Sequence, residues 1–197
     1  MNTLETENLV LRNWSDNDQA LFHEINSDDE VMKFFPFRRD KKQSAELLQR
    51  LVRHIDQNGY GFCAIELKNS GECAGFCGLE NTEIKDVFPK GSIEIGWRLA
   101  RRYWGHGIAT EASRAWLEFG FRTRRFKEIV SMAVHDNERS IAVMKRLGMH
   151  HQPEREFLHP GVPDSHPHLK RHVVYTISAN QWEEGQKKGG DTTALNF

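Results

Sequence analysis

Apolar and polar positions alternate with a period of two over residues 92–99. Ile93, Ile95, Trp97 and Leu99 fall on one face and Glu94, Gly96 and Arg98 on the other, which is the pattern of a strand with one buried side. A little further on the period lengthens, and Ile108, Ala112, Ala115, Trp116 and Phe119 recur at helical spacing. Between strand and helix lies Arg102-Tyr103-Trp104-Gly105-His106-Gly107-Ile108-Ala109-Thr110-Glu111. Two glycines there leave backbone N–H groups uncovered at a helix N-terminus, where unpaired donors and partial positive charge favour an anion. Taken alone, the glycines fit a bare turn equally well.

The same reading gives the remaining elements. Residues 9–12 are a first strand, and Ser15-Asp16-Asn17-Asp18 caps a helix through Ala20, Leu21, Phe22 and Ile25 that ends at Asp28-Asp29. An aromatic cluster broken by proline, Phe34, Phe35 and Phe37, precedes a second helix over 42–56 with Ala45, Leu48, Leu51, Val52 and Ile55 on one side. Residues 60–67 and 72–79 are two strands joined at Asn69-Ser70-Gly71. Residues 81–90 are a polar connection ending in a Pro-Lys-Gly turn. Residues 128–134 form another strand, and Asn137 caps a helix that Gly148 closes, with Ile141, Met144 and Leu147 as its buried stripe. Residues 152–158 and 172–177 are two last strands around a loop rich in proline and histidine. Strands early, helices interleaved late and a closing hairpin imply a mixed sheet flanked by helices, α/β in the α+β sense. The expected organisation is a single domain over 1–182 and a disordered tail over 183–197, which has little to bury.

Composition narrows the partners. Of 197 residues, 27 are Lys or Arg and 28 Asp or Glu, so a net charge of −1 offers no general attraction to nucleic acid or an anionic membrane. Apolar runs fall well short of a bilayer span and no basic leader precedes one, so a cytoplasmic location is expected. Cys63, Cys73 and Cys77 lie in apolar strand text without a C-x-x-C spacing and read as free, buried thiols. His159, Asp164, His166, His168 and His172 lie close together, but their spacing matches no regular metal motif and no metal is expected.

Three words occur in order: Glu94-Ile95-Gly96-Trp97-Arg98-Leu99, then Trp104-Gly105-His106-Gly107-Ile108-Ala109-Thr110-Glu111-Ala112, then Asn137-Glu138-Arg139-Ser140 through Gly148-Met149. Together they resemble the GNAT superfamily of N-acetyltransferases, within it the RimJ and RimL branch, whose pattern runs E-I-G-[YW]-x-L, W-G-x-G-[IY]-A-T-E-A and N-x-x-S. The resemblance spans about residues 7–178 and extends to an uncharacterised bacterial subgroup with a similar proline and histidine loop. It implies a central, mostly antiparallel, twisted sheet of about seven strands with one splayed pair. It also implies acetyl-coenzyme A as acetyl donor, a monomer or homodimer, and an amine acceptor, either a peptide N-terminus or a small amine.

The same resemblance assigns residues. The coenzyme's pyrophosphate rests on the amides of Gly105, His106, Gly107, Ile108, Ala109 and Thr110, beside Trp104. Pantetheine pairs with the backbone of Trp97 and Leu99 around Arg98, and the Leu99 N–H serves as oxyanion donor. Asn137 belongs to the same set. Removing a proton from the amine needs a base, and protonating the departing thiolate needs an acid. Glu94 is the first candidate for the base and Glu156 the second, with His159 a weaker catalytic candidate. Many relatives place a tyrosine seven residues after the asparagine, where this chain has Met144, so Ser140 is the candidate acid. The first two helices help roof an acceptor pocket, which Phe34, Phe35, Phe37, His159 and His172 are expected to line. Two rival readings remain: a coenzyme A-binding module with weak catalysis, motivated by Met144, and a dinucleotide-binding oxidoreductase, which fails because G-x-G-x-x-G is incomplete.

Overall fold

The computed structural model describes residues 3–189. Nine strands occur among them, against about seven expected: β1 (Leu4–Glu5), β2 (Leu9–Arg12), β3 (Phe62–Leu67), β4 (Cys73–Ile84), β5 (Phe88–Leu99), β6 (Glu128–Val134), β7 (His150–His151), β8 (Phe157–Leu158) and β9 (Arg171–Ser178). The surplus consists of two-residue strands that no period-two pattern can announce. The helices are α1 (Gln19–Ser27), α2 (Lys41–Asn58), α3 (Ile108–Glu118), α4 (Glu138–Arg146) and α5 (Ala179–Gly189). Strands and flanking helices make the mixed α/β fold expected of the sequence. The chain divides into two compact units, one from residues 3–80 and 96–116, the other from 81–95 and 117–189.

In the first unit β1 to β4 pair antiparallel in sequence order, with a bulge between Ile65 and Glu66. Ser15 closes a capping box with Asp18 ahead of α1, Asp40 does the same with Gln43 ahead of α2, and Gly59 ends α2 in a left-handed conformation. α1 packs on α2, and α2 on β3. The core holds Leu9, Leu11, Ile25, Ile55 and Ile65, all at most 1% exposed. Beside it Trp14, Phe22 and Phe76 meet ring to ring at 4.9–6.2 Å.

Gly75 holds β4 against the end of β5. A Cβ there would lie 2.2 Å from the Arg98 carbonyl oxygen and 2.7 Å from Leu99 Cα, both backbone atoms. Gly75→Ala therefore pushes the two strands apart, at about 3 kcal/mol, the upper range for overpacking. A fall in melting temperature of about 6–12 °C is expected for a domain of this size. Thermal unfolding that matches the wild type would show that β5 yields freely.

In the second unit β6 pairs antiparallel with β9 through seven residues, Glu128↔Ser178 to Val134↔His172. With β5 it runs parallel and meets it in register at Glu94↔Val130 alone among the described residues. One pair against seven is the splay expected of this strand pair. β7 and β8 both pair with β9, α4 packs on β6, and α5 on β9. Phe88, Val130 and Val174 form a buried cluster with Ile84, Val87, Met132 and Phe157 against it.

Three expectations need correction. The polar connection at 81–90 is a hairpin: β4 runs on to Ile84, β5 begins at Phe88, and the turn falls at Asp86, with φ 63°, rather than at Pro89-Lys90-Gly91. Burial decides this, for Thr82 is 9% and Phe88 1% exposed. Residues 152–158 are not one strand, because Pro153 opens a 3-10 turn through Arg155 and only Phe157–Leu158 pairs with β9. The tail does not begin at 183, since α5 continues to Gly189, with Trp182 6% exposed and its indole N–H donating to Glu118 at 3.0 Å. The remainder of that tail lies outside the described residues.

Candidate active site

In the first unit β5 delivers the chain to the glycine turn. Gly105 and Gly107 both adopt positive φ, 82° and 79°, and nothing lies within 4 Å of a Cβ built on either. Their requirement is conformational, since left-handed backbone is disfavoured for other residues. The first backbone bond into α3 runs from Glu111 N–H to Gly107 C=O, 3.0 Å. The amides of Ile108, Ala109 and Thr110 precede it and have no acceptor within the helix. The Trp104 indole N–H donates to the Leu99 carbonyl at 2.9 Å, clamping the turn to the end of β5. The Glu111 carboxylate, in the first turn of α3, accepts from Thr6 Oγ1 at 2.5 Å and from Asn8 N–H at 2.9 Å. His106 and Arg101 are exposed, and Arg102 is ion-paired with Glu24. Such a helix N-terminus can hold an anion.

Arg98, half-buried on β5, donates from Nη1 to Asn26 Oδ1 at 2.6 Å and lies 4.3 Å over the Phe35 ring. Burial lowers its pKa to about 10, with the Arg39 charge adding to the effect. Asn26 is fully buried on α1. Neither Asn26 nor Arg39 stands out in the sequence; the one available signal is a polar residue beside the apolar stripe of Phe22 and Ile25. Phe34 and Phe35 are half-buried, and Phe37 is 43% exposed.

In the second unit Glu94 is half-buried at the single β5–β6 register pair, and Ser131 Oγ donates to the Ile95 carbonyl at 3.0 Å. Asn137 caps α4 by accepting from Ser140 N–H at 3.3 Å. The Ser140 hydroxyl itself has no hydrogen-bond partner among the described residues. Met144 is 1% exposed and belongs to the core. Glu156 accepts from His151 Nε2 at 2.9 Å and Arg171 Nη2 at 2.8 Å, and the Arg171 guanidinium holds its carboxyl below the usual range. A carboxylate so stabilised is a weak base.

His159 and His172 stand 4.9 Å apart beside Phe157. Gly161 N–H donates to His159 Nδ1 at 3.0 Å, so that imidazole carries its proton on Nε2. His172 Nδ1 lies 3.0 Å from the Lys170 carbonyl, so it carries the opposite tautomer. Burial lowers both pKa values from the ordinary 6.5, and for His172 the charges of His159 and His135 add to it. On acidification the unfolded chain therefore takes up these protons first. Their contribution to stability is full above about pH 6.5 and is lost as pH falls through the folded-state values. Melting temperature should drop over that acid range, and His172→Gln should flatten the drop. An unchanged slope in the variant would remove the pair from the account.

Cys63, Cys73 and Cys77 form no disulfide; Cys63 and Cys77 are buried as expected, whereas Cys73 is half-buried, and burial pushes Cys77 up to about 12 and Cys73 to about 11. Among the described residues there is no group of three or more His, Cys, Asp or Glu that could hold a metal ion, and no helix is long and apolar enough to cross a membrane.

In the comparison with known families, an Acetyltransferase (GNAT) domain matches residues 8–150. The chain belongs to the GNAT acetyltransferase family. It is thereby an acyltransferase, and acetyl-coenzyme A is the donor that family uses. Among relatives, the uncharacterized protein YkkB of Bacillus subtilis (strain 168) is 36% identical over 149 residues, 75% of this chain and 85% of that protein. The fold is also that of a GNAT-family acetyltransferase from Bacillus anthracis, with TM-score 0.73 and 21% identity over 91% of this chain and 99% of that one. It is shared with the ribosomal-protein-S5-alanine acetyltransferase of Vibrio fischeri, at TM-score 0.70 and 16% identity over 92% and 99%. In this GNAT chain Met144 carries no hydroxyl, and Ser140 is the one hydroxyl side chain of α4.

Proposed function

We propose that this GNAT protein moves an acetyl group from acetyl-coenzyme A directly to a primary amine, with no covalent enzyme intermediate. The observation that carries the proposal is the turn after β5, where two left-handed glycines lead into the first turn of α3 and the amides of residues 105–110 are left to an outside acceptor. Those amides hold the diphosphate, and Trp97 and Leu99 offer backbone to the pantetheine arm, with Arg98 between them. Acetyl-coenzyme A supplies an acyl group on a good leaving thiol. The Leu99 N–H steadies negative charge developing on the acyl oxygen, Glu94 receives the amine's proton directly or through a water, and the Ser140 hydroxyl donates one to the departing sulfur. Asn137 fixes the helix turn on which Ser140 sits. The words shared with RimJ and RimL support that branch of the family. Either acceptor class, a peptide N-terminus or a small amine, satisfies this chemistry.

The test is thiol release from acetyl-coenzyme A against a panel of peptides and amines, run beside calorimetry with free coenzyme A. Binding with release on at least one acceptor supports the proposal. Binding without release on every acceptor favours the weakly catalytic coenzyme-binding module, and absence of any binding heat removes both readings.

A further inference from the structure

Asn26 organises two arginines that have no counter-charge. Its Oδ1 accepts from Arg98 Nη1 at 2.6 Å, its backbone carbonyl accepts from Arg39 N–H at 2.9 Å, and its Nδ2 donates to the Phe22 carbonyl at 2.7 Å. The Arg98 guanidinium lies over Phe35 and Phe76 at 4.3 and 5.3 Å, and that of Arg39 over Phe37 at 4.6 Å. Three arginines of this unit are ion-paired: Arg12 with Asp18 and Glu66, Arg38 with Asp29, Arg102 with Glu24. Neither Arg39 nor Arg98 has a carboxylate partner among the described residues, and Arg39 Nε is buried without a hydrogen-bond partner. Burial lowers the pKa of both.

Two half-buried guanidinium ions without an anion are costly, and only aromatic faces and the Asn26 side-chain oxygen offset part of that cost. Both side chains are half-buried, so an anion can reach them from solvent. With Nη1 of Arg98 committed to Asn26 and aromatic rings against the ion, its remaining N–H donors suit a planar carboxylate taken two-pronged. We propose that Arg39 and Arg98 receive the carboxylate of the acceptor, which makes the acceptor an amino carboxylate. The proposal rests on the acetyl-transfer reading above and narrows its substrate. Phe35 and Phe37, against the same arginines, favour an acceptor with an apolar or aromatic body.

The test compares α-, β-, γ- and δ-amino acids, including aromatic ones, each with its own carboxamide, in the thiol-release assay. At least one acid should exceed its amide by tenfold or more in kcat/KM, mainly through KM. Arg39→Gln should shrink that acid-to-amide ratio at least tenfold, and Arg98→Lys should restore only part of what Arg98→Gln loses. Amides equal to acids throughout, or a preference for O-phosphoethanolamine, would overturn the proposal. A second readout needs no turnover: 3-phenylpropanoate should raise the melting temperature of the wild type but not of Arg39→Gln, and should compete with acceptor rather than with acetyl-coenzyme A. If no amine of any kind releases thiol, the transfer reading fails. The carboxylate site then stands or falls on that thermal shift.

Discussion

Glu94→Gln is expected to lower kcat by about 10²–10⁴-fold while leaving KM for acetyl-coenzyme A within a factor of about two, the span usual for losing a positioned general base. An aliphatic amine with a pKa near that of lysine, about 10.4, is almost wholly protonated at neutral pH and cannot attack until it loses a proton. Glu94 sits at the single β5–β6 register pair among the described residues, between Ile93 and Ile95, which are 5% and 0% exposed and fix the strand. Glutamine keeps the shape of the side chain and removes its basicity, so packing is preserved. The deficit should narrow as pH rises, because the amine then deprotonates without help. A rate equal to wild type across pH 6.5–9 would strip Glu94 of this role. Ser140→Ala is expected to cost less, about tenfold, since enforced proximity supplies much of the barrier reduction. The two losses should not add if both residues serve one proton path.

How far the sequence carried depends on whether a signal is local. The strand at Ile93, Ile95 and Leu99, the cap at Asn137, the left-handed Gly148 and the glycine turn are all determined by neighbours a few residues away, and each stands where its pattern put it. Residues 81–90 mislead because Pro89-Lys90-Gly91 resembles a turn. Hydrophobic burial of Phe88 outweighs that preference, and Pro89 sits within the strand rather than before it. The charges are less legible still. Arg102 next to the glycine turn suggests a phosphate ligand, yet Glu24, on α1, already holds it. Arg98 and Arg39 acquire their meaning only when α1, the aromatic loop and β5 come together around Asn26, a tertiary event that no spacing records. The sequence leaves the choice of Glu94 or Glu156 as base, and the role of Ser140 as acid, open for the same reason. Only three-dimensional neighbours reveal that Arg171 and His151 occupy Glu156, whereas the Ser140 hydroxyl has no such partner among the described residues.

Replacing both turn glycines, Gly105→Val with Gly107→Val, should weaken coenzyme A binding at least 100-fold with little change in melting temperature. At φ 82° and 79° a β-branched residue is strained by about 1–2 kcal/mol or more per position, so the loop will leave the left-handed region rather than keep its amides aligned. Two such costs, about 3 kcal/mol together, correspond to roughly 100-fold in affinity. Nothing lies within 4 Å of a Cβ placed at either position, so bulk itself displaces no neighbour and the fold has little reason to suffer. Gly75→Ala is the contrasting case, since there a Cβ strikes the backbone of β5 and stability must fall. The contrast separates a loop shaped for a ligand from a glycine required by packing. Calorimetry with coenzyme A and with its dephosphorylated pantetheine fragment refines it further: the double variant should lose affinity for the intact coenzyme and little for the fragment, which lacks the diphosphate. Equal losses for both would mean that the amides of residues 105–110 do not hold that group, and the diphosphate would have to be sought elsewhere on the chain.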